Sequence, residues 1–303
     1  MEIQLFNEED TEKVLDLCNN NMEFDSLSES LLREKVFDDP YYEKELNFIA
    51  REEGRLAGFL SGVTRETESE RTGYVKLMAV HRQFRRRGIG KNLYEKLEGI
   101  YRVRGIKRVS IYDVPYNYFM PGIDPRYTPA LAFFETMGFR RFSDTANLTA
   151  DLTVQEFNTE AEETILAGKG IDIERAHSAD RGEVLNFISA NFPEWSYEVE
   201  KTFNLSPISL HIARYRGRVQ AFSAYNCNNI GTGWFGPMGT HPNLRGKGAG
   251  SVLLKRCMQD IKEQGKEKGL ERAVIPWVGP IRFYSYYVNA VVERVFWRYE
   301  KLL

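Results

Sequence analysis

The stretch Arg85-Arg86-Arg87-Gly88-Ile89-Gly90 returns later in the chain as Arg245-Gly246-Lys247-Gly248-Ala249-Gly250. Both read R-x-x-G-x-G, and each follows an apolar strand pattern and opens an amphipathic helical one. Outward from these loops, Gly105-Ile106-Lys107-Arg108 is echoed by Gly269-Leu270-Glu271-Arg272, with the helix between loop and echo about one turn longer in the second copy. Phe133-Phe134 is echoed by Phe283-Tyr284 at a shorter spacing. The first copy therefore carries an insertion, visible as Tyr116-Asn117-Tyr118-Phe119-Met120-Pro121-Gly122 and its continuation through Pro125 to Tyr127. One unit appears twice in the same order, which predicts a duplicated domain: residues 1–157, a linker at 158–170, and residues 171–303.

Each copy also reads alike in coarse secondary structure. In the first, Ile3–Leu5 predicts a short strand and Glu8–Cys18 a helix. Phe48–Ala50 and Leu56–Val63 predict strands joined by a turn at Glu53-Gly54, and Tyr74–Val80 is the strand before the loop. A helix follows from about Ile89 to Val103. The second copy opens on Ile171–Ile173, with a helix near Gly182–Asn191 and a hairpin turning at Arg216-Gly217; Trp234–Met238 precedes its loop. Helices alternating with strands after a hairpin predict a mixed α/β fold.

Composition narrows the function classes. The 303 residues hold 41 Lys and Arg against 43 Asp and Glu, a net charge of −2, which argues against a polyanion binder. With 42% hydrophobic and 13% aromatic residues the chain has ample material for buried cores. Cys18, Cys227 and Cys257 lie far apart with no ligand spacing, so neither a disulfide framework nor a metal module is expected. No apolar run approaches the ~18 residues that span a bilayer, and Met1-Glu2-Ile3-Gln4-Leu5 is no signal peptide. The expectation is a cytoplasmic protein, monomer or homodimer, with no membrane, nucleic-acid or metal partner.

A glycine-bearing loop between a strand and a helix gathers backbone N–H groups at the positive end of a helix dipole, which is an anion site. The P-loop pattern has no match, and neither loop completes the G-x-G-x-x-G fingerprint. A plain turn would explain one such loop; two in matching context point to two pyrophosphate cradles. Both copies resemble GNAT-superfamily acetyltransferases, whose R/Q-x-x-G-x-G/A loop grips the pyrophosphate arm of acetyl-CoA. The ending Ala130-Leu131-Ala132-Phe133-Phe134-Glu135-Thr136-Met137-Gly138-Phe139 is similar to that family's A-x-x-x-F/Y-x-x-x-G-F. The resemblance covers nearly the whole chain and is strongest over Tyr74–Phe139 and Trp234–Lys301. The doubled architecture is similar to tandem GNAT enzymes that acetylate amines on sugars or sugar-like molecules, such as mycothiol synthase and bacterial glucosaminide N-acetyltransferases. The resemblance implies two GNAT domains in tandem, each a mixed, mostly antiparallel sheet flanked by helices.

The resemblance also implies residue roles. In the second copy Met238, Gly239, Thr240, Arg245, Gly246, Lys247, Gly248, Ala249, Gly250 and Ser251 would hold acetyl-CoA. In the first, Met78, Val80, Arg85, Arg86, Arg87, Gly88, Ile89, Gly90 and Lys91 take the corresponding places. A tyrosine on the helix after the next strand is the family's usual proton donor, and a phenol with a pKa near ~10 stays protonated at neutral pH. The aligned residue is Tyr284 in the second copy and Phe134 in the first, which has no proton to give. The second copy is therefore the expected catalyst. The second copy departs from the family ending, with Asn289-Ala290 in place of Gly-Phe, which leaves Tyr286 and Tyr287 as alternatives to Tyr284.

No acid lies on the Trp234–Gly239 strand, and the general base stays unassigned among His241, Glu194, Glu198 and a water relay. Phe192, Trp195 and Tyr197 offer aromatic faces for a sugar ring or apolar amine, and Asn226, Asn228 and Asn229 offer amides for its hydroxyls or simply form a turn. The expected activity is transfer of an acetyl group from acetyl-CoA to a primary amine of a small molecule, without an acyl-enzyme. Its rivals are a protein or peptide acetyltransferase and a non-catalytic acyl-CoA sensor.

Overall fold

A computed structural model of the chain describes residues 1–66 and 70–303. Two compact units emerge, residues 1–145 together with 296–303, and residues 146–295.

The first unit runs β1 (Glu2–Leu5), α1 (Thr11–Asn21), α2 (Glu29–Lys35), β2 (Asn47–Glu52), β3 (Arg55–Glu66), β4 (Arg71–Val80), α3 (Ile89–Val103), β5 (Arg108–Ile111) and α4 (Thr128–Thr136). After it come β6 (Arg140–Asp151), α5 (Glu160–Ala167), β7 (Ile171–Arg175), α6 (Arg181–Asn191), α7 (Ser196–Thr202), β8 (Leu210–Tyr215) and β9 (Arg218–Tyr225). The chain ends with β10 (Phe235–Thr240), α8 (Ala249–Gly265), β11 (Arg272–Ile275), α9 (Ile281–Val288) and β12 (Val291–Leu302).

In the first unit β1 to β4 pair antiparallel in chain order, β4 pairs parallel with β5, and Glu300–Leu302 of β12 pair antiparallel with β5. Alternation along β3 sends neighbouring side chains to opposite faces. Leu60 joins Leu93, Leu97 and Tyr101 of α3, whereas Phe59 joins Val14 and Leu17 of α1 and Leu31 and Leu32 of α2. Both faces are covered, so β2 and β3 read as near-continuous apolar runs.

The second unit repeats this plan. β7, β8, β9 and β10 pair antiparallel, and β11 pairs antiparallel with Leu148–Asp151 of β6. Val252 and Leu253 of α8 pack on Ala213 and Ala221, and Val184, Ile188 and Val199 of α6 and α7 on Ile212 and Phe222. The hairpin turns fall where the sequence places them, with Glu53-Gly54 and Arg216-Gly217 all at positive φ.

The compact units divide the chain differently from the repeat pattern. Residues 146–157, expected to end the first domain, belong to the second unit, and 296–303, expected to end the second, belong to the first. Residues 158–170, expected as linker, contain α5, whose Leu166 is buried against the second unit's core. Glu162 pairs with Lys255, and Glu163 accepts from the Arg256 Nε at 2.6 Å, so the acidic face that reads as a solvated linker has partners on α8. The aromatic insertion packs into the first unit: Met120 and Ile123 join its main core, and the Ile123 N–H donates to the Trp297 carbonyl at 2.9 Å.

Among the described residues no helix is long and apolar enough to cross a membrane. All three cysteines are free and buried.

Candidate active site

In each unit two parallel strands part at the same place. In the first, β4–β5 pairing runs from Thr72–Arg108 to Val75–Ile111 and closes with the Tyr112 N–H donating to the Val75 carbonyl at 2.8 Å. In the second, a single parallel bridge joins Trp234 to Val274, with the Val274 N–H donating to the Gly233 carbonyl at 2.8 Å. Beyond these points no described pairing continues, and β10 leaves a mouth between itself and β11.

The strand at each mouth carries a bulge. The β3–β4 register slips so that Lys76 is the extra residue, and the β9–β10 register slips between Phe235 and Met238, where Gly236 and Pro237 stand. The two bulges occupy corresponding places in the repeat. A bulge breaks the ladder locally and re-aims the strand, which is what a strand must do to turn polar backbone toward a ligand. The Cys227 thiol donates to the Gly236 carbonyl at 3.1 Å and pins the second bulge.

The loops themselves are built alike. His81 Nδ1 accepts from the Gln83 N–H at 3.2 Å, and His241 Nδ1 from the Asn243 N–H at 3.3 Å. His241 shapes the turn, and that nitrogen is not available as a base. The Arg85 Nε donates to the Val80 carbonyl and the Arg245 Nε to the Thr240 carbonyl, both at 3.1 Å. The opening arginine of each motif thus ties its loop back to the strand. Position two of the motif is left-handed in both copies, Arg86 at φ 66° and Gly246 at φ 75°, and only the glycine adopts it without strain. Gly88 and Gly248 then cap α3 and α8, also with positive φ.

The first-turn N–H groups of α8 have no carbonyl four residues back to accept them. Their donors, the open space around Gly246 and the half-buried Lys247, whose ammonium lies 4.4 Å from the Tyr215 ring centroid, fit a pyrophosphate. Ala249 is buried beneath the first turn, and the Ser251 hydroxyl donates to the Gly248 carbonyl at 2.8 Å; both shape the helix start. The first loop carries more charge, with Arg86, Arg87 and Lys91 exposed and Ile89 buried beneath them. Lys91 lies 3.7 Å from Glu95 and Arg87 3.6 Å from Glu53.

Glycine six of the motif marks the inner end of the crevice. A Cβ on Gly250 would lie 3.6 Å from Thr240 Oγ1 and 3.8 Å from both Met238 Cε and Phe283 Cζ. A Cβ on Gly90 would lie 3.2 Å from Met78 Cε and 3.4 Å from Phe133 Cε2. The structure brings Met238, Thr240, Gly250 and Phe283 together, and Met78, Gly90 and Phe133 likewise. Val80, next to the first loop, is half-buried and packs on the same core as Met78.

Tyr284 follows Phe283 on α9. Its ring meets Phe283 edge-on at 5.1 Å and Phe235 at 6.0 Å, and burial pushes its phenol up to about 12. Phe134 occupies the corresponding place in the first unit, 1% exposed and ringed by Phe133, Phe139 and Tyr112. Tyr286 is 76% exposed; Tyr287, 37% exposed, packs on Phe283 with ring centroids 5.1 Å apart and on Tyr286 at 4.9 Å. Tyr284 is the hydroxyl-bearing side chain that α9 buries against the β10 strand.

Gly239 faces Phe192 and Phe222. A Cβ there would come within 2.8 Å of Phe192 Cζ and of Phe222 Cε1, so Phe192 lies on the strand. Trp195 stacks on Phe192 with centroids 5.3 Å apart and planes at 15°, which sets it on that same face. Tyr197 is half-buried, 5.6 Å from the Lys201 ammonium. Asn226 is engaged otherwise: its Oδ1 accepts from the Gly231 N–H at 2.6 Å, and its φ of 55° makes it a turn residue. Sequence reasoning placed Phe192 among the aromatic faces but missed Cys227, whose part depends on how the chain between it and Gly236 folds back. It also passed over Lys76, although a lysine inside the apolar run Tyr74–Val80 was a visible signal.

The comparisons agree with this plan. A fungal multi-domain GH3 β-N-acetylglucosaminidase, described as containing a GCN5-related glucosamine N-acetyltransferase region, superposes with a TM-score of 0.82 at 19% identity over 99% of this chain. This chain spans 38% of that one. A GCN5-related N-acetyltransferase from Sphaerobacter thermophilus gives a TM-score of 0.71 at 16% identity, covering 99% of this chain and 95% of that one. A tandem GNAT protein from the clavulanic acid biosynthesis pathway gives 0.69 at 15%, covering 99% and 98%. At such identities the likeness is one of fold. No curated protein matches by sequence. The family model for GNAT acetyltransferases matches twice, over residues 12–139 and 180–284, which together make up most of the chain. Two mouths, two braced R-x-x-G-x-G loops and two family matches make this chain a tandem member of the GNAT acetyltransferase family.

Proposed function

We propose that the chain is an acetyl-CoA-dependent N-acetyltransferase acting on a primary amine of a small molecule, with its catalytic centre in the second unit. The observation that carries this reading is Tyr284, buried beside Phe283 and Phe235 where the first unit has Phe134. Acetyl-CoA supplies an activated acyl group as its thioester. Lys247 and the first-turn N–H groups of α8 hold its pyrophosphate, and β10 aligns the acyl end.

The neutral amine attacks directly, forming a C–N bond as the C–S bond breaks. A free thiol has a pKa near ~8.5, below the Tyr284 value of about 12. Tyr284 therefore acts first as a hydrogen-bond donor to the sulfur as negative charge grows there, and the proton lost from the amine completes the thiol. Direct attack is supported by Cys257, the cysteine nearest the loop in sequence: burial pushes its thiol up, away from the reactive thiolate range.

Amino sugars are the preferred acceptor class. The stacked Phe192–Trp195 pair over β10 suits the apolar face of a pyranose ring. The test is acetyl-CoA-dependent thiol release across amino sugars, aminoglycosides, polyamines and short peptides. Release with amino sugars supports the reading; release with peptides alone moves the activity to protein acetylation, and tight binding without release to a sensor.

A further inference from the structure

Outside that site, the most unusual chemistry lies in the first unit. Lys76 is 1% exposed and pairs closely with Asp39. Asp39 also accepts from Arg65 Nη2 at 2.7 Å and from Asn117 Nδ2 at 3.0 Å. Lys35, fully buried, pairs with Glu34 at 2.9 Å and donates to Asn117 Oδ1 at 3.3 Å.

Position and charge both single out Lys76. It is the extra residue of the β4 bulge, next after Val75, the last residue that β4 pairs with β5. Its backbone thus lies at the mouth of the first unit, two residues before Met78, whose Cε approaches Gly90 of the loop, while its amine is held at Asp39. The second unit has Gly236 and Pro237 at its own bulge, with no amine. Arg65 and Lys76 both pair with the Asp39 carboxylate. Burial pushes the Lys76 ammonium down to about 7, with Asp39 opposing and Arg65 reinforcing the shift. Such a lysine holds a far larger neutral fraction than an exposed one at ~10.4, and the neutral amine is the nucleophile.

We infer that Lys76 is a self-acetylation site, its amine taking the acetyl group of a thioester seated on the Arg85–Gly90 loop. The inference rests on the acetyl-CoA reading above. The Lys76 Nζ lone pair attacks the thioester carbonyl carbon, a C–N bond forms and the C–S bond breaks. The proton lost from nitrogen passes to the departing sulfur, giving Nε-acetyl-lysine and free thiol. Once acetylated, the side chain no longer competes with Arg65 and Asn117 for Asp39.

The full-length chain is incubated with acetyl-CoA and no amine, then digested and read by peptide mass spectrometry, alongside Tyr284→Phe and Lys76→Arg. The inference expects acetyl occupancy on Lys76 at least about tenfold above that on exposed Lys91, retained in Tyr284→Phe and absent in Lys76→Arg. The wild-type and Tyr284→Phe results stand even if Lys76→Arg fails to fold. An unmodified Lys76 in a preparation that acetylates added amines overturns this inference and leaves the proposed function standing. An acetylated Lys76 without turnover of any amine supports the inference and removes the small-molecule reading. Equal labelling of Lys76 and Lys91, or no labelling at all, overturns it.

Discussion

Arg245 reaches back to the Thr240 carbonyl through its Nε at 3.1 Å, and Arg85 repeats the bond to Val80 at the same length. The motif's arginine therefore acts on the loop's shape. Arg245→Ala is expected to raise KM for acetyl-CoA by roughly tenfold, the equivalent of one hydrogen bond to a charged group, with little added salt dependence. Lys247→Ala removes a charge facing the loop and is expected to weaken binding in a salt-dependent way. Initial rates at two ionic strengths separate the two effects. A strongly salt-dependent Arg245→Ala defect would return that arginine to direct phosphate contact.

Gly239 has no room for a methyl group. A Cβ within 2.8 Å of Phe192 and Phe222 forces at least one ring to move. Gly239→Ala is expected to cost about 1–3 kcal/mol of stability and to shift the Phe192–Trp195 stack, raising KM for the amine. Gly250→Ala, with contacts no closer than 3.6 Å, is expected to leave stability nearly unchanged. Thermal unfolding of both variants checks the contrast.

Residues 296–302 of the last strand belong to the first unit. Phe296 and Tyr299 are buried in its core, the Tyr299 hydroxyl donates to Glu135 at 2.7 Å, and Arg298 Nε donates to Asp113 at 2.9 Å. Removal of residues 296–303 is expected to unfold that unit, since loss of even one buried aromatic costs about 3–5 kcal/mol. Hydrogen exchange would show lost protection over β2 to β5. Protection lost only in the second unit would contradict the assignment.

Lys76 sets a pH dependence whose sign is fixed by its downward shift. Between about 7 and its ordinary value of 10.5 the folded state holds fewer protons than the unfolded chain, so stability rises with pH across that window. Below about 7 the cost of charging the buried amine is fully present. Lys76→Met is expected to remove this slope, so wild type gains on the variant as pH rises from 7 to 9. Denaturant unfolding at each pH measures it, and parallel curves would place the Lys76 amine in its ordinary range.

Much of this architecture is written locally. The duplicated loop was legible because the left-handed caps at Gly88 and Gly248 and the turns at Glu53-Gly54 and Arg216-Gly217 need particular residues at particular positions. What escaped local reading depends on distant partners. Residues 158–170 read as a polar linker because the partners of Glu162 and Glu163 lie on α8. Residues 296–303 read as part of the second copy because the repeat ends there, whereas the pairing of Glu300–Leu302 with Arg108–Ser110 is a matter of topology. Asn226 offered an amide of the right kind for a hydroxyl, and its Oδ1 is taken by Gly231. Met238, Gly250 and Phe283 converge because the repeat that revealed them also carries the geometry of the crevice.

The most direct test of a catalytic second unit is amine-dependent thiol release at saturating acetyl-CoA by wild type and Tyr284→Phe. The account predicts a fall in kcat of about 10²-fold, with KM for acetyl-CoA little changed and the fold intact. Equal rates in the two proteins would contradict it, and would remove Tyr284 from the chemistry.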